Sequence, residues 1–588
     1  MRTTSVFVTA AGIAALAVAL GAQNNAQSKP DAARKVPAVT TEMLANPNPD
    51  DWLMYSRTYD AQRFSPLEFV NRRNVSQLKT AWTREMPKGT HEGIPIVYQG
   101  VMYVIQPGAG VSALDATNGN LLWEYKRDTP LASRTKTLAI YRDLIYYAAP
   151  DGFIVALDAG TGKVRWEAKT DGGMTSGPVV VEGKVVTGRT CAAKRSNCYI
   201  SAHDALTGQE AWKFYTAAGD DDPGGASWGG APEATRFAST WGLPGNYDPA
   251  LKLLYWGVAN PTPNTRMARH GGNYNAIPLT APADLYSNST LAINPSTGKL
   301  VWYYQHLPGD DWDEDYTHER TLLRTAVRPD PKFVKWINPD VRRGEQRDVA
   351  VMVGEGGGIF ALDRRTGQFL WANPFPYDAP NFLISNVDGK TGKVTINQDL
   401  IFKAPGEHHV ICFWNTRSYW PTAYHPRLNS LYVPWVDNCL DMTSAIPATA
   451  DTPAVNEKRA GIPRVGSKPE EFGGLAKINM ETGEIQHIYK GRSPGNGAAL
   501  TTAGDVVFWG DLDQKFRAFD AVSGKILWET TLGGSIDNST ITYAVNGKQY
   551  IAVMSGEGLL TGGLITQAGI QPARRHNEIY VFALPDQR

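Results

Sequence analysis

Short apolar runs alternate with tight-turn sequences along most of the chain. Residues 179–186, in which Glu182 and Gly183 separate two valine-rich runs, are typical. After such strand pairs a motif recurs with the pattern Ala-x-Asp-x-x-Thr-Gly-x-x-x-Trp, which predicts a strand, a tight turn closed by the Asp side chain and a positive-φ Gly, and a second strand. Seven copies are visible, with Asp or Asn at positions Asp115, Asp158, Asp204, Asn294, Asp363, Asn479 and Asp520.

Repeated units of about four strands are what a β-propeller requires. An eighth unit could be closed by residues 78–82 pairing with residues 578–583. We therefore expect an all-β fold, an eight-bladed β-propeller in which the motif tryptophans pack between neighbouring sheets. The spacing between copies lengthens after residue 202, and the added residues should form loops on the propeller faces, where sites are usually built.

The beginning of the chain has a different pattern. Residues 1–26 contain Arg2, an apolar run and then small residues, which predicts a secretory signal peptide that is too short to span a membrane. Residues 27–50 are polar and rich in Pro and Ala, which predicts a flexible leader, and residues 51–588 should form the propeller domain. No other run reaches membrane length, so we expect no membrane span and an exported, periplasmic protein.

Charge and cysteine content narrow the class of protein. The 58 Lys and Arg residues balance 58 Asp and Glu residues, which gives no reason to expect nucleic acid as a partner. The four cysteines lie in two close pairs, Cys191 with Cys198 and Cys412 with Cys439, so two local disulfides are plausible in an oxidising compartment. A zinc site is the alternative, but no histidine has the required spacing. No Cys-x-x-Cys-His occurs, so we expect no covalently attached haem.

Residues 310–315, Asp-Asp-Trp-Asp-Glu-Asp, hold five carboxylates in six positions. Such a cluster persists only if it is solvated, paired with cations or placed around a metal ion. In an extended segment Asp313 and Asp315 would point to the same side and could bind one hard cation. A solvated acidic loop is the alternative interpretation. The position of the segment, directly after the fourth repeat in a loop-rich stretch, favours a site.

The tryptophan repeat, the signal peptide and the Trp312-Asp313 pair together resemble the pyrroloquinoline quinone (PQQ) alcohol dehydrogenases, over nearly the whole chain from residue 51. In this resemblance Asp313 matches the catalytic aspartate and Asp315 matches the second aspartate of the lanthanide-dependent branch. Asn260, in a Gly-Val-Ala-Asn-Pro segment, matches a metal ligand. Read without the resemblance, Asn-Pro is a turn starter.

The resemblance also implies residues that contact the quinone. These are Glu92, Lys136, Thr175, Thr190 and Trp241, the last as the floor under the flat ring. Each also has an ordinary structural interpretation, such as a strand-entry turn, a strand threonine or a core tryptophan. Cys412 and Cys439 match a disulfide that ties a long loop in this family.

Several positions depart from the family pattern. A metal-binding glutamate is expected between Gly188 and Asp204, where the alignment places Ala193. Lys136 stands where an arginine is expected, with Arg134 nearby. Glu355 replaces a basic residue before a run of three glycines, which reverses a charge beside a trianionic cofactor.

The implied activity is oxidation of an alcohol to an aldehyde by hydride transfer to a metal-polarised quinone. Asn260, Asp313 and Asp315 would bind one metal ion, a lanthanide or Ca²⁺, because both prefer oxygen ligands. The expected partners are a small alcohol, a cytochrome c as electron acceptor and, as an option, a second copy of the chain in a homodimer. The alternative is a non-catalytic propeller scaffold that has lost its cofactor.

Overall fold

The computed structural model describes residues 35–191, 194–572 and 576–586. The predicted signal peptide and Ala193 lie outside the described residues. Most of the described chain forms sheets built around four antiparallel strands, and the described residues contain eight of these, which we call sheets A to H. This confirms the sheet-rich fold that the sequence pattern predicts.

The strands of sheets A to D follow one another in chain order, and each sheet has four strands. Sheet A contains Ile96–Tyr98, Val101–Gln106, Gly110–Asp115 and Leu121–Lys126. Sheet B contains Ala139–Tyr141, Leu144–Ala148, Phe153–Asp158 and Val164–Lys169. Sheet C contains Pro178–Val181, Lys184–Thr187, Tyr199–Asp204 and Glu210–Tyr215. Sheet D contains Asn246–Asp248, Leu253–Gly257, Ser289–Ile293 and Leu300–Gln305.

Sheets E to G have the same order of strands, and sheets E and G each carry an additional edge strand. Sheet E contains Thr321–Val327, Glu345–Val353, Gly358–Asp363 and Phe369–Pro374, with Trp336–Ile337 at its edge. Sheet F contains Ala423–His425, Ser430–Val436, Gly473–Asn479 and Ile485–Gly491. Sheet G contains Leu500–Thr502, Val506–Gly510, Lys515–Asp520 and Ile526–Thr531, with Phe64–Ser65 parallel to the first.

Sheet H combines strands from distant parts of the chain. It contains Ile541–Val545, Lys548–Ser555, Glu578–Ala583 and the early strand Lys79–Glu85. Lys79 pairs with Ala583 and Glu85 with Glu578, so the pairing predicted from residues 78–82 is present.

The remaining helices and strands do not belong to sheets A to H. A three-stranded sheet, which we call the capping sheet, contains His408–Cys412, Asn438–Thr443 and Lys458–Pro463. Two short two-stranded sheets pair Phe237–Ala238 with Pro261–Thr262 and Ile384–Val387 with Val394–Ile396. The α-helices are Thr41–Ala45, Arg266–Arg269 and Thr561–Ala568. The 3₁₀ helices are Val75–Gln77, Arg195–Asn197, Gly225–Trp228, Glu233–Thr235, Pro426–Leu428 and Pro469–Glu471. No helix in the described ranges is long and apolar enough to cross a membrane.

The repeat motif forms the turn between the third and fourth strands of sheets A to G. In sheet B the Asp158 carboxylate accepts hydrogen bonds from Gly160 N and from the Thr161 hydroxyl, and Gly162 has a φ of 69°. A residue with a Cβ is strained at that φ, which is why the motif needs Gly. The motif tryptophan then lies in the fourth strand, as the sequence predicts.

Each early tryptophan contacts the turn of the following sheet. A Cβ placed on Gly162 would lie 2.5 Å from the Trp123 ring, so the glycine also makes room for the indole. The Trp123 Nε1 donates to the Ala159 carbonyl at 2.9 Å, and Trp166 makes the corresponding bond to Ala205 at 3.1 Å. In sheet F, His487 occupies the tryptophan position and packs 4.8 Å from the Tyr377 ring.

Residues 35–50 differ from the flexible leader that the sequence predicts. The Thr40 hydroxyl caps the helix Thr41–Ala45, and Val39 forms a bridge to Arg142. Val39 and Leu44 are buried in the core beside sheets A and B. The apolar side chains scattered through this segment are therefore enough to fix it on the sheets, and the packed chain begins before residue 51.

Both predicted disulfides are present. Cys191 is bonded to Cys198 and Cys412 to Cys439. The second disulfide links the first two strands of the capping sheet, in which Cys412 and Cys439 lie directly opposite each other.

Candidate active site

A cavity of about 480 Å³ brings together six of the eight residues that the sequence singles out. Segments that follow strands of several different sheets contribute to its wall. The six residues that line it are Thr175, Thr190, Trp241, Asn260, Asp313 and Asp315. The other two, Glu92 and Lys136, are buried directly behind it, with Lys136 Nζ 4.9 Å from the centre of the Trp241 ring.

Asp315 is at the centre of the acidic end of the cavity. Its carboxylate accepts hydrogen bonds from Asn260 N at 3.1 Å and from Trp241 Nε1 at 2.5 Å. Burial, and next the nearby charge of Asp313, raise the pKa of Asp315. Two carboxylates this close disfavour ionisation of each other, and a bound cation would relieve that repulsion.

Asp313 lies on the same wall and is more open to solvent. Its backbone is in the left-handed region, with a φ of 67°. The Arg459 guanidinium lies 2.5 Å from Asp313 Oδ2, which leaves the other carboxylate oxygen without this contact. Asp313 thus has one oxygen held by a cation while its side chain faces the cavity.

Asn260 connects the acidic wall to the next loop. Its amide nitrogen donates to the Pro261 carbonyl at 3.3 Å and to Asn264 Oδ1 at 3.2 Å. With the amide nitrogen engaged in this way, the amide oxygen is the atom that can bind a cation. No group of three His, Cys, Asp or Glu side chains in the described ranges is arranged to hold a metal ion by itself.

The opposite side of the cavity is cationic. Lys136 Nζ lies 3.0 Å from Glu92 Oε2, and both side chains are fully buried. Burial alone would raise the pKa of Glu92, but the charges of Lys136 and Arg134 and the hydrogen bonds from Leu559 N and Lys136 together hold it below its usual value. Glu92 also accepts a hydrogen bond from Leu559 N at 2.7 Å. Arg134 lines the cavity itself.

Flat and hydroxyl surfaces complete the wall. The Trp241 ring meets the Tyr419 ring edge to face at 6.0 Å, and Lys136 lies over both rings. The hydroxyls of Thr175 and Thr190 lie 2.6 Å apart, and Thr175 also donates to the Trp241 carbonyl at 2.9 Å. The threonines and the tryptophan are thus fixed to one another.

The acidic segment is not the solvated loop that the sequence allowed as an alternative. Asp310, Asp311 and Glu314 are fully buried. Neither side-chain oxygen of Glu314 has a hydrogen-bond partner among the described residues. Burial, and next the neighbouring Glu355, raise the pKa of Glu314 well above its usual value. A cluster this buried requires neutralisation by protons or cations.

Glu355 contributes a further carboxyl to the cavity wall. Its Oε2 accepts a hydrogen bond from Asp315 N at 3.1 Å, and its own N–H donates to the Asp315 carbonyl at 3.1 Å. Burial, and next the charge of Asp315, raise the pKa of Glu355 well above its usual value. The raised pKa makes Glu355 less inclined to carry a negative charge, which weakens the charge reversal that the sequence implies.

These residues fit a flat polyanionic ring together with one cation. Among the described residues, the fully buried Lys136 has only Glu92 as a charged partner within 4.0 Å, and Arg134 and two hydroxyls line the cavity in front of it. At the other end, two aspartates and an amide supply oxygen atoms. The arrangement therefore offers cations to carboxylates and oxygens to a hard metal ion.

Sequence reasoning missed several residues that line the cavity. Trp414 and Arg459 come from the segments of the capping sheet, and Leu559 and Leu560 precede the helix Thr561–Ala568. These segments are distant from every motif copy, so neither the repeat nor local spacing points to them. The one available signal was the disulfide Cys412–Cys439, which marks the inserted sheet.

Comparison with known proteins agrees with this geometry. The family described as glucose/ethanol/alcohol dehydrogenase, beta-propeller domain, matches residues 167–374 and 470–551. A second family, outer membrane protein assembly factor BamB, matches residues 74–226.

Individual relatives cover most of the chain. The quinohemoprotein alcohol dehydrogenase ADH-IIG of Pseudomonas putida is 30% identical over 585 residues, covering 90% of this chain and 76% of the relative. The lanthanide-dependent methanol dehydrogenase of Methylorubrum extorquens is 29% identical, covering 89% and 90% of the two chains. The solved structure of a europium-containing methanol dehydrogenase matches with a TM-score of 0.76 at 27% identity, covering 92% of this chain and 99% of the other. The chain belongs to the PQQ-dependent alcohol dehydrogenase family.

Proposed function

We propose that this protein oxidises an alcohol to an aldehyde with bound PQQ and one metal ion. The observation that carries the proposal is the single cavity that joins the Trp241 face, the Thr175 and Thr190 hydroxyls and the Asn260, Asp313 and Asp315 oxygens. Membership of the family supports this class of reaction.

The cofactor would be bound by residues on three sides. Trp241 offers a flat surface, Thr175 and Thr190 offer hydroxyls, and Arg134 and Lys136 offer positive charge, with Glu92 fixing the position of Lys136. When bound, PQQ supplies the two-electron acceptor and the metal supplies a Lewis acid.

Asp313 is the proposed base. Because Arg459 engages its Oδ2, the Oδ1 atom is the one that would accept the hydroxyl proton of the alcohol. A carboxylate is a weak base at neutral pH, so its position relative to the alcohol must supply most of the rate. Leu559, Leu560 and Trp414 border the same space and would exclude water from the alcohol.

Asn260, Asp313 and Asp315 are the proposed metal ligands. Each carboxylate contributes more binding energy to a trivalent ion than to Ca²⁺. The two aspartates lie close enough together that the charge of Asp313 raises the pKa of Asp315. We therefore favour a lanthanide, with Ca²⁺ as the second candidate. Ala193, which stands where a metal-binding glutamate is expected, belongs to the part of the chain that is not described.

The fold around the site is proposed to be an eight-bladed propeller formed by residues 51–588. The eight sheets built around four antiparallel strands and the contacts of Trp123 and Trp166 with the following turns support it. The signal-peptide pattern of residues 1–26 and two disulfides support a periplasmic location. A cytochrome c is the proposed electron acceptor, and a homodimer is left as an option.

Reconstitution tests the proposal. The purified protein is loaded with PQQ and either La³⁺ or Ca²⁺, and reduction of an acceptor dye by a primary alcohol is measured. We expect turnover with at least one metal and none without PQQ. If quinone absorbance stays with the protein after gel filtration but neither metal gives turnover, the proposed dehydrogenase activity is wrong and the proposed PQQ-binding site still stands.

The second candidate is a propeller scaffold that has lost its cofactor. The match of residues 74–226 to an assembly-factor family and the presence of Glu355 favour it. A scaffold has no need for Trp241, Asn260 and Asp315 to meet in one cavity. Failure of the protein to retain PQQ with any metal would favour this candidate.

A further inference from the structure

The capping sheet reaches the candidate active site through its third strand. Lys458–Pro463 pairs with Asn438–Thr443, with Arg459 opposite Met442. A hydrogen bond joins the sheet to the helix Thr561–Ala568, since Asn438 Nδ2 donates to Gln567 Oε1 at 3.0 Å. The disulfide Cys412–Cys439 links its other two strands.

Arg459 extends from this strand to Asp313. The contact of 2.5 Å with Asp313 Oδ2 is made by a side chain that is 22% exposed. The guanidinium also lies over the Trp414 ring, 5.5 Å from its centre, and both residues line the cavity. A planar guanidinium fixed on an aromatic ring loses less freedom when it binds a carboxylate than a free side chain would.

Glu457, the residue before the same strand, is linked to Asn260 through Asn264. Its Oε1 accepts a hydrogen bond from Asn264 Nδ2 at 2.8 Å, and Asn264 Oδ1 accepts one from Asn260 Nδ2 at 3.2 Å. Arg459 NH1 is 4.0 Å from Glu457 Oε1. Residues two positions apart in an extended segment point to the same side, which explains how both reach the site.

We infer that Glu457 and Arg459 form a clamp that positions Asn260 and Asp313 from outside the propeller sheets, an inference that rests on the proposed function of those two residues. Arg459 fixes Asp313 so that one oxygen stays available, and Glu457 fixes the Asn260 amide through Asn264. Arg459 also returns a positive charge to a cavity in which Glu355 occupies the position of an expected basic residue.

The clamp has opposite electrostatic effects at its two ends. A guanidinium beside a metal-binding carboxylate competes with the metal ion for that carboxylate and weakens metal binding. A carboxylate that orients a metal-binding amide strengthens metal binding. Arg459→Gln should therefore strengthen metal binding while it lowers turnover. Glu457→Gln should weaken metal binding.

The test is a Tb³⁺ titration of the full-length, metal-free protein, read by luminescence sensitised by nearby tryptophans. We expect Arg459→Gln to bind Tb³⁺ about tenfold more tightly and Glu457→Gln to bind it about threefold more weakly. In the loaded enzyme Arg459→Gln should lower kcat about tenfold with little change in KM, and Arg459→Lys should recover part of the loss. The matched control is Lys458→Gln, which removes the same charge from the exposed neighbour and should change neither quantity.

The outcomes separate the clamp from the function on which it rests. If the unaltered protein binds Tb³⁺ and both Arg459→Gln and Glu457→Gln bind it with the same affinity, the clamp is overturned and the proposed function stands. Weaker Tb³⁺ binding in Arg459→Gln would also overturn it, because that result indicates a disturbed sheet. No Tb³⁺ binding by the unaltered protein would overturn the proposed metal site, and the clamp with it.

Discussion

The two halves of the acidic segment 310–315 differ in what their carboxylates bind, although they are neighbours in the chain. Asp310 accepts from the backbone N–H groups of Trp312 and Glu314, at 2.6 Å and 2.8 Å. Asp311 accepts from Arg266 N and, at 2.7 Å, from Phe402 N. Asp313 and Asp315 instead line the cavity and contact side chains that also face it.

Carboxylates that are neighbours in the sequence therefore do not all belong to one site. The first pair joins three loops by satisfying their buried amides, a structural use of a carboxylate. The second pair faces a space that a ligand can enter. Removing a carboxylate from the first pair should therefore cost stability, and removing one from the second should cost activity.

The largest effect is expected at Asp313. Asp313→Asn keeps the shape of the side chain but removes the base and one metal charge, so kcat should fall about 10³-fold, or about 4 kcal/mol. Dye-linked turnover of the loaded enzyme measures it. The exposed Asp399→Asn is the control, and a rate equal to that of the unaltered enzyme would remove Asp313 from the base role.

Asp311→Ala should have the largest effect on folding. It leaves the Arg266 and Phe402 amides buried without an acceptor, so the free energy of unfolding should fall by about 3 kcal/mol. Urea denaturation of the metal-free protein measures the loss. If Asp313→Ala destabilises the protein as much as Asp311→Ala, the proposed contrast between the two pairs is wrong.

Asp315 should make the metal-free protein sensitive to pH. Its pKa is raised in the folded state by burial and by Asp313, so the folded protein binds this proton more tightly than the unfolded chain does. Stability is then highest below the ordinary carboxyl pKa of 3.8 and is lost as pH rises through the raised pKa.

Urea midpoints at pH 5 and pH 8 test this expectation. We expect the midpoint to fall between the two values, and Asp315→Asn to reduce the fall. Bound La³⁺ should also reduce it, because a cation favours the ionised carboxylate. A pH response that is the same in Asp315→Asn would assign the effect to another buried acid.

The smallest effect is expected at Glu314, which belongs to neither pair. It is buried without a hydrogen-bond partner among the described residues, so Glu314→Gln should stabilise the protein at pH 8 by about 1 kcal/mol. The exposed Glu470→Gln provides the reference in the same urea experiment. A loss of stability would mean that Glu314 uses its charge to bind a cation.

The sequence predicted the features that local chemistry determines. The turn motif depends on Asp158, Gly162 and their equivalents, and the structure forms those turns. The pairing of residues 78–82 with residues 578–583 followed from the need to complete a unit of four strands. Asp313 and Asp315 do line one cavity, but Asp313 has a φ of 67°, so the extended segment expected from the sequence is not what brings them together.

The remaining features depend on contacts between distant segments. Nothing near Arg459 in the sequence indicates that it meets Asp313, because the contact is made by a sheet whose second and third strands lie between Ser430–Val436 and Gly473–Asn479 of sheet F. The different uses of Asp310 and Asp313 depend on which loops surround them. The packing of residues 35–50 was missed because their composition is that of a mobile segment.

Sheet H has a consequence for how the protein can be made. Its edge strand, Lys79–Glu85, is synthesised about 500 residues before its partner Glu578–Ala583. A growing or truncated polypeptide therefore exposes an unpaired edge, which is prone to aggregation and open to proteases and chaperones. The sheet is complete only once residues 578–583 have been synthesised, so a chain truncated before them cannot form it.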